Sequence, residues 1–204
     1  ILYAYRHPES IQKVILECPS LWFEDSAKSV AEYVSGHIES LGNPEASKLC
    51  EKLKAPDYPS GQETPNDLMT LLNYVEDPKL GNYLHGISFE EYWQSMDTRG
   101  IHDEMWAKGE RHLKKLLETG PAQEDASGKR VTMLDNFLPL AQETALPILL
   151  LNGKYDPACT KYQTDYLLSR GRNVTREIFE NSGHFPRTEE PEKYTRAVLS
   201  FLEA

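Results

Sequence analysis

The stretch "LPILLLNGKYDP" begins at Leu146, and it contains five apolar residues, Leu146 to Leu151 apart from the proline, closed by turn formers. The run is short for a helix. Because apolar residues stand at consecutive positions, with no polar alternation, both faces of the resulting strand must be covered. The rest of the tail supplies that cover. Tyr162, Tyr166 and Leu167 mark a helix that ends at Gly171, and "NVTREIFEN" alternates Val174, Arg176, Ile178 and Glu180 against Thr175, Glu177 and Phe179 as a strand does. Tyr194, Ala197, Val198, Phe201 and Leu202 then form a helical stripe after Pro191. Strand, helix, strand, helix implies right-handed crossovers and a mostly parallel sheet.

Upstream, "ILYAYR" is helix-compatible and should stop before Pro8, because proline disfavours helical geometry in the residue ahead of it. The opening has no methionine, cap or polar lead-in and reads like the end of a helix. Val14 to Leu16 is predicted as a buried strand closed by Pro19. From about Leu21 to Thr144 the texture changes to amphipathic helices. Ala27, Val30, Val34, Ile38 and Leu41 recur at helical steps up to Gly42, and Pro44 and Pro65 read as first-turn prolines. Ser88 and Glu91 form a capping box, and Met105, Trp106, Leu113, Leu116 and Leu117 continue the helical pattern to Gly120. "PAQEDASGKR" is a polar loop. The fold class is therefore α/β, with residues 1–19 and 145–204 forming a sheet-bearing core and residues 20–144 an all-helical insertion.

A net charge of −10, spread along 204 residues, argues against nucleic acid or anionic membrane surfaces as partners. No apolar run approaches the ~18 residues of a membrane span, and there is no signal-peptide pattern. Three dispersed cysteines, Cys18, Cys50 and Cys159, make neither a disulfide framework nor a CxxC metal site and fit a reducing, cytoplasmic compartment. The histidines His7, His37, His85, His102 and His112 lack HxxxH or HExxH spacing, and no GxGxxG or phosphate loop occurs, so neither metal nor cofactor is expected.

In parallel sheets, functional groups gather beyond the carboxyl ends of the strands. Asp156 follows the first tail strand by a short "GKYD" turn, and His184 follows the second by "NSGH". Both turns fall on the same sheet edge, so a carboxylate can hold one ring nitrogen of an imidazole whose other nitrogen serves as a base. The plainer alternative is that Asp156 is a turn former before Pro157 and His184 a solvated polar residue.

"LPILLLNGKYDPACT" followed by "ENSGHFPRTEEPEKYTRAVLSFL" resembles the C-terminal end of the α/β-hydrolase fold over about 60 residues. There an apolar strand leads to Gly-x-x-Asp-Pro, and a later Ser-Gly-His precedes a final Glu-Pro helix. The resemblance implies that Asp156 is the triad acid and His184 the triad base, with Phe185 and Pro186 shaping the turn. "ILYAYRHPESIQKVILECP" is similar to the helix after the nucleophile elbow and the sixth strand, and the helical stretch stands where this superfamily inserts its cap. Glu17 is the backup acid.

The elbow Gly-x-Ser-x-Gly is expected immediately before Ile1, and it occurs nowhere in the 204 residues; Ser60 and Ser127 lie in cap loops. The nucleophile is therefore expected on a preceding segment or a separate N-terminal chain, with truncation and a non-catalytic binding protein as alternatives. The reading is a serine hydrolase of small ester, amide or peptide substrates. Glu90 and Glu91, next to Trp93, resemble the amine-receiving cap glutamates of the proline-iminopeptidase branch. Trp22, Trp93, Trp106, Phe23, Phe89 and Tyr92 form either the cap's own core or a pocket lining.

Overall fold

The computed structural model describes residues 1–58, 63–97, 123–124, 130–131 and 134–204. Ser60, Ser127, His102, His112 and the helical pattern around Met105, Trp106, Leu113, Leu116 and Leu117 lie outside the described residues.

Three parallel strands form the main sheet: β1 (Val14–Glu17), β4 (Ile148–Gly153) and β5 (Val174–Phe179), in the order β1-β4-β5. Ile148 pairs with Val14 on one side and Val174 on the other. All six residues of β4 are buried, as the uninterrupted apolar run requires of a central strand. The alternation divides the core between two faces. Leu150, with Leu16 and Val174, packs with Leu138, Ala141 and Leu167 from helices α7 (Leu138–Glu143) and α8 (Lys161–Arg170). After β5 come the single turn α9 (Pro186–Glu189) and the final helix α10 (Pro191–Glu203). Leu149, Leu151 and Phe179, with Ile15, pack against Tyr194, Ala197, Val198 and Phe201 of α10. Leu202, part of the predicted stripe, turns outward and is exposed.

β1 is expected to be buried on both sides, and within this chain one side is covered. Its four residues are only half-buried, because among the described residues it pairs on one edge alone. The preceding helix α1 (Leu2–Arg6) stops ahead of Pro8 as expected.

The helical stretch opens with α2 (Phe23–Ser40), α3 (Pro44–Lys54) and α4 (Glu63–Leu72). Their apolar stripes close on one another in a second cluster: Ala27, Val30, Val34 and Ile38 from α2, Ala46, Cys50 and Leu53 from α3, and Leu68 and Leu71 from α4, with Ala158 from beyond β4 joining it and Tyr83 packed against it. Pro44 occupies the first turn of α3 behind Asn43, whose side chain accepts from Glu45 N at 3.0 Å and Ala46 N at 3.3 Å. Two short helices come next, α5 (Pro78–Gly81) and α6 (Phe89–Asp97). The capping box at α6 forms reciprocally, with Ser88 N donating to Glu91 at 2.8 Å and Glu91 N donating to Ser88 Oγ at 3.2 Å. Within the expected polar loop, β2 (Gln123–Glu124) and β3 (Arg130–Val131) make a two-residue antiparallel pairing. Among the described residues, no helix is long and apolar enough to cross a membrane.

Candidate active site

Gly153 ends β4 and Phe179 ends β5, opposite each other in the register. The chain leaves both strands at the same rim. Lys154 N donates to Phe179 O at 2.9 Å and Tyr155 N to Ser182 O at 3.0 Å, so the two turns are zipped together. A Cβ on Gly153 would lie 1.7 Å from Gly183 O, so no other residue lets the turns close this far.

On that rim Asp156 and His184 meet, His184 Nδ1 lying 3.0 Å from Asp156 Oδ2. The Asp156 side chain is fully buried, while the imidazole keeps 28% of its surface exposed. Asp156 Oδ1 accepts from Ala158 N at 2.8 Å, which fixes the carboxyl plane. A carboxylate offers only acceptors, so Nδ1 carries the proton of this contact and Nε2 remains for other chemistry. The Oδ1 bond to Ala158 N, two residues on, is the Asx-turn that the plainer role of Asp156 calls for, and the second oxygen faces His184 in addition.

A buried glutamine on α8 anchors the Asp156 turn from below. Gln163 accepts from Leu21 N at 2.8 Å and Trp22 N at 3.0 Å, and donates to Asp25 Oδ2 at 2.9 Å and Ser26 Oγ at 3.0 Å. Ser26 Oγ donates in turn to Ala158 O at 2.6 Å, and Thr160 donates to Asp25. These bonds join the start of α2 to the turn that carries Asp156.

The His184 turn is held by carboxylates. Glu190 accepts from Asn181 N at 2.9 Å and Ser182 Oγ at 2.7 Å; Glu189 Oε2 accepts from Gly183 N at 2.7 Å and Phe185 N at 3.3 Å. Tyr83 stands edge-on to the imidazole with ring centroids 5.8 Å apart, and Tyr92 packs on Phe185 at 4.8 Å. Of the other candidate aromatics, Trp22 packs beneath the sheet with Leu16 and Leu150, and Trp106 lies outside the described residues.

Cys18, to which no sequence pattern assigns a role at the site, sits directly behind the pair. Its sulfur accepts from Gly153 N at 3.4 Å and contacts Gly183 O at 3.7 Å. Among the described residues, Cys18, Asp156 and His184 bring three metal-ligand atoms within 4.8 Å of one another. Burial first, and then the charge of Asp156, push the Cys18 thiol well above its ordinary pKa. Burial followed by the same charge raises Cys159 and the Tyr83 phenol as well. Cys18, Cys50 and Cys159 are all buried free thiols.

Glu17, the backup acid, is committed elsewhere: it accepts from Arg187 Nη1 at 2.8 Å and Tyr194 OH at 3.2 Å. Of the two helical glutamates, Glu91 is occupied by its capping box and Glu90 accepts from Gln94 Nε2 at 3.2 Å.

Among solved structures, the chain is similar to the proline iminopeptidase of Mycobacterium smegmatis, at 16% identity over 98% of this chain and 59% of that one, with a TM-score of 0.56. It is also similar to an α/β fold family hydrolase from Bacillus anthracis str. Sterne (18% identity, 98% of this chain, 61% of that chain, TM-score 0.46). The enol-lactonase from Burkholderia xenovorans LB400 matches at 16% identity over 99% of this chain and 60% of its own length, with a TM-score of 0.44. The chain thus spans about three fifths of the length of the structures it resembles. No protein-family model and no curated protein matches the sequence.

Proposed function

From a chain that has the fold of the C-terminal part of an α/β-hydrolase, we propose that it contributes the acid and base of a serine hydrolase. The observation that carries this reading is the 3.0 Å contact between a fully buried Asp156 carboxyl and a partly exposed His184 ring. Asp156 fixes the tautomer and stabilises the imidazolium, and His184 Nε2 takes the proton of an attacking hydroxyl and returns it to the leaving group. The serine belongs to a segment preceding Ile1 or to a separate chain that completes the sheet beside β1. Such a two-step acyl transfer suits a small ester, amide or peptide. For a peptide with a free amino end, Glu90 is the better candidate counter-charge, since Glu91 is taken up by its helix cap. The buried free thiols favour a cytoplasmic setting.

The test is His184→Ala in the complete enzyme. Turnover should disappear while the thermal transition stays within a few degrees of wild type, and a serine-directed phosphonate should label the wild-type protein. Retained turnover in the variant sinks the assignment, and an unlabelled wild type favours a binding protein without a nucleophile.

A further inference from the structure

Every described non-glycine residue with positive φ touches the His184 turn. Tyr83 has φ 56 and Cys18 has φ 44. An L-residue with a β-carbon enters that region at a cost, and such strain persists where surrounding contacts hold it. For Tyr83 those contacts are visible. Its twisted backbone aims the carbonyl at the turn, where it accepts from His184 N at 3.0 Å, and a Cβ on Gly183 would lie 1.8 Å from the same oxygen.

The two residues after Leu84 continue the contact. His85 N and Gly86 N donate to Glu189 Oε1 at 2.6 and 2.9 Å. The other oxygen of the same carboxylate holds Gly183 N and Phe185 N, on either side of His184. One side chain thus accepts four backbone N–H groups, two from the helical stretch and two from the turn, over a sequence gap of 104 residues at its longest. Charged acceptors of this kind make hydrogen bonds roughly twice as strong as neutral ones. The strap also reaches the acid's turn, because the His85 ring stacks on Tyr155 with centroids 3.5 Å apart. Residues 83–86 therefore touch both turns, next to Asp156 on one side and at His184 on the other.

We propose that Glu189 is a positioning residue: it latches the strap Tyr83–Gly86 onto the His184 turn and thereby sets the angle at which His184 meets Asp156. The proposal rests on His184 acting as the base. Displacement of the strap in response to bound substrate would then be transmitted to the imidazole through one carboxylate, without any contact between substrate and Glu189.

Glu189→Gln in the full-length protein tests this. An amide has one acceptor oxygen, so it holds one pair of N–H groups and turns an NH2 toward the other. Amide exchange should rise on the order of 10-fold in the pair that loses its acceptor, His85 with Gly86 or Gly183 with Phe185, as the latch opens. The downfield proton resonance of His184 Nδ1 should move, and kcat should fall on the order of 10- to 100-fold with KM within about 2-fold, as expected for a displaced catalytic group. Glu189→Asp, which keeps the charge on a shorter stem, should recover part of the resonance shift. Glu190→Gln is the local control, and exchange at His85 and Gly86 should not change in it. Faster exchange with an unmoved Nδ1 resonance and unchanged kcat overturns the proposal, because Glu189 would then be a staple only. A fall in kcat matched by the loss of folded protein, with the resonance of the folded molecules unmoved, overturns it equally. Should the wild type take no serine-directed phosphonate, the hydrolase reading fails, while exchange and the resonance still decide whether the latch sets the ring.

Discussion

The helical layer of α2 to α4 and the rim of the sheet are built by opposite means. In the layer, Val34, Ile38, Leu53 and Leu71 are fully buried against one another, and apolar packing predominates, with a side-chain cap at Asn43. At the rim the contacts that matter are polar, and several are buried or half-buried: Asp156 with His184, Glu189 with Gly183 N, Glu190 with Ser182 Oγ, and Gln163 with Asp25 and Ser26. Apolar packing is non-directional and tolerates small shifts. Hydrogen bonds at 2.7–3.0 Å between groups removed from water do not, because each mispaired group leaves a desolvated charge or dipole. The layer should therefore control whether the protein folds, and the rim whether the folded protein works.

The strongest way to break that division is Asp156→Asn. The amide is nearly isosteric and its oxygen can still accept from Ala158 N, so the fold should survive with its thermal transition within a few degrees. The group facing His184 then presents an N–H where the carboxylate accepted, which forces the wrong tautomer. Turnover by the complete enzyme should fall on the order of 10⁴-fold, equivalent to about 5 kcal/mol of lost transition-state stabilisation. Steady-state kinetics beside a melting curve decides it. Comparable activity, or a collapse of the fold, would show that the rim is not specialised in this sense.

The complementary change belongs in the layer. Leu71 is wholly buried in the cluster that α4 shares with α2 and α3, and Leu71→Ala leaves a gap that the surrounding helices close only in part. The expected cost is about 2–5 kcal/mol of folding stability, read from denaturant midpoints with an unchanged slope. The rate constant per folded molecule should stay at the wild-type value. A loss of kcat without a loss of stability would mean that the layer reaches the site, through Tyr83 or through Ala158, both of which touch the same cluster.

The same contrast explains what is legible in the sequence. The buried run Ile148–Leu151, the stripe Ala27–Val30–Val34–Ile38 and the alternation after Asn173 are periodic, and periodicity survives in one dimension. Asp156 and His184 can be picked out because each comes after a strand by a short turn, and parallel strands bring such turns to one edge. Glu189 is hidden: "TEEPEK" looks like an acidic helix opening, and its partners His85 and Gly86 lie more than a hundred residues upstream. Backbone N–H groups carry no residue identity, so no pattern marks them. Gln163 and Cys18 escape notice for the same reason, each joining segments distant in the chain. The signal that does exist is a pair of adjacent acids between Thr188 and Pro191, just after the histidine turn. β1 is half-buried because it pairs on one side among the described residues, and the run Val14–Leu16 carries no mark of what lies along its other edge.

The smallest effect sharpens the comparison most cheaply. Asn43 caps α3 with one side-chain oxygen shared between Glu45 N and Ala46 N, and Asn43→Ala leaves both donors to water. Pro44 stays at the first turn, where its fixed φ still suits the helix, so the entry geometry should persist and only the cap should be lost. The cost should be about 1 kcal/mol, a drop of roughly 2–4 °C in the thermal midpoint for a chain of this size. Asn43→Asp should recover it, since a carboxylate accepts the same two bonds and sits favourably at the positive end of the helix. Both variants should turn over substrate at the wild-type rate. The cap serves α3, which packs on α2 and α4, whereas the strap is latched to the His184 turn through Glu189. A change in kcat here, however small, would therefore mean that the layer transmits strain as a unit, and the separation of folding from function would fail at its most tolerant point.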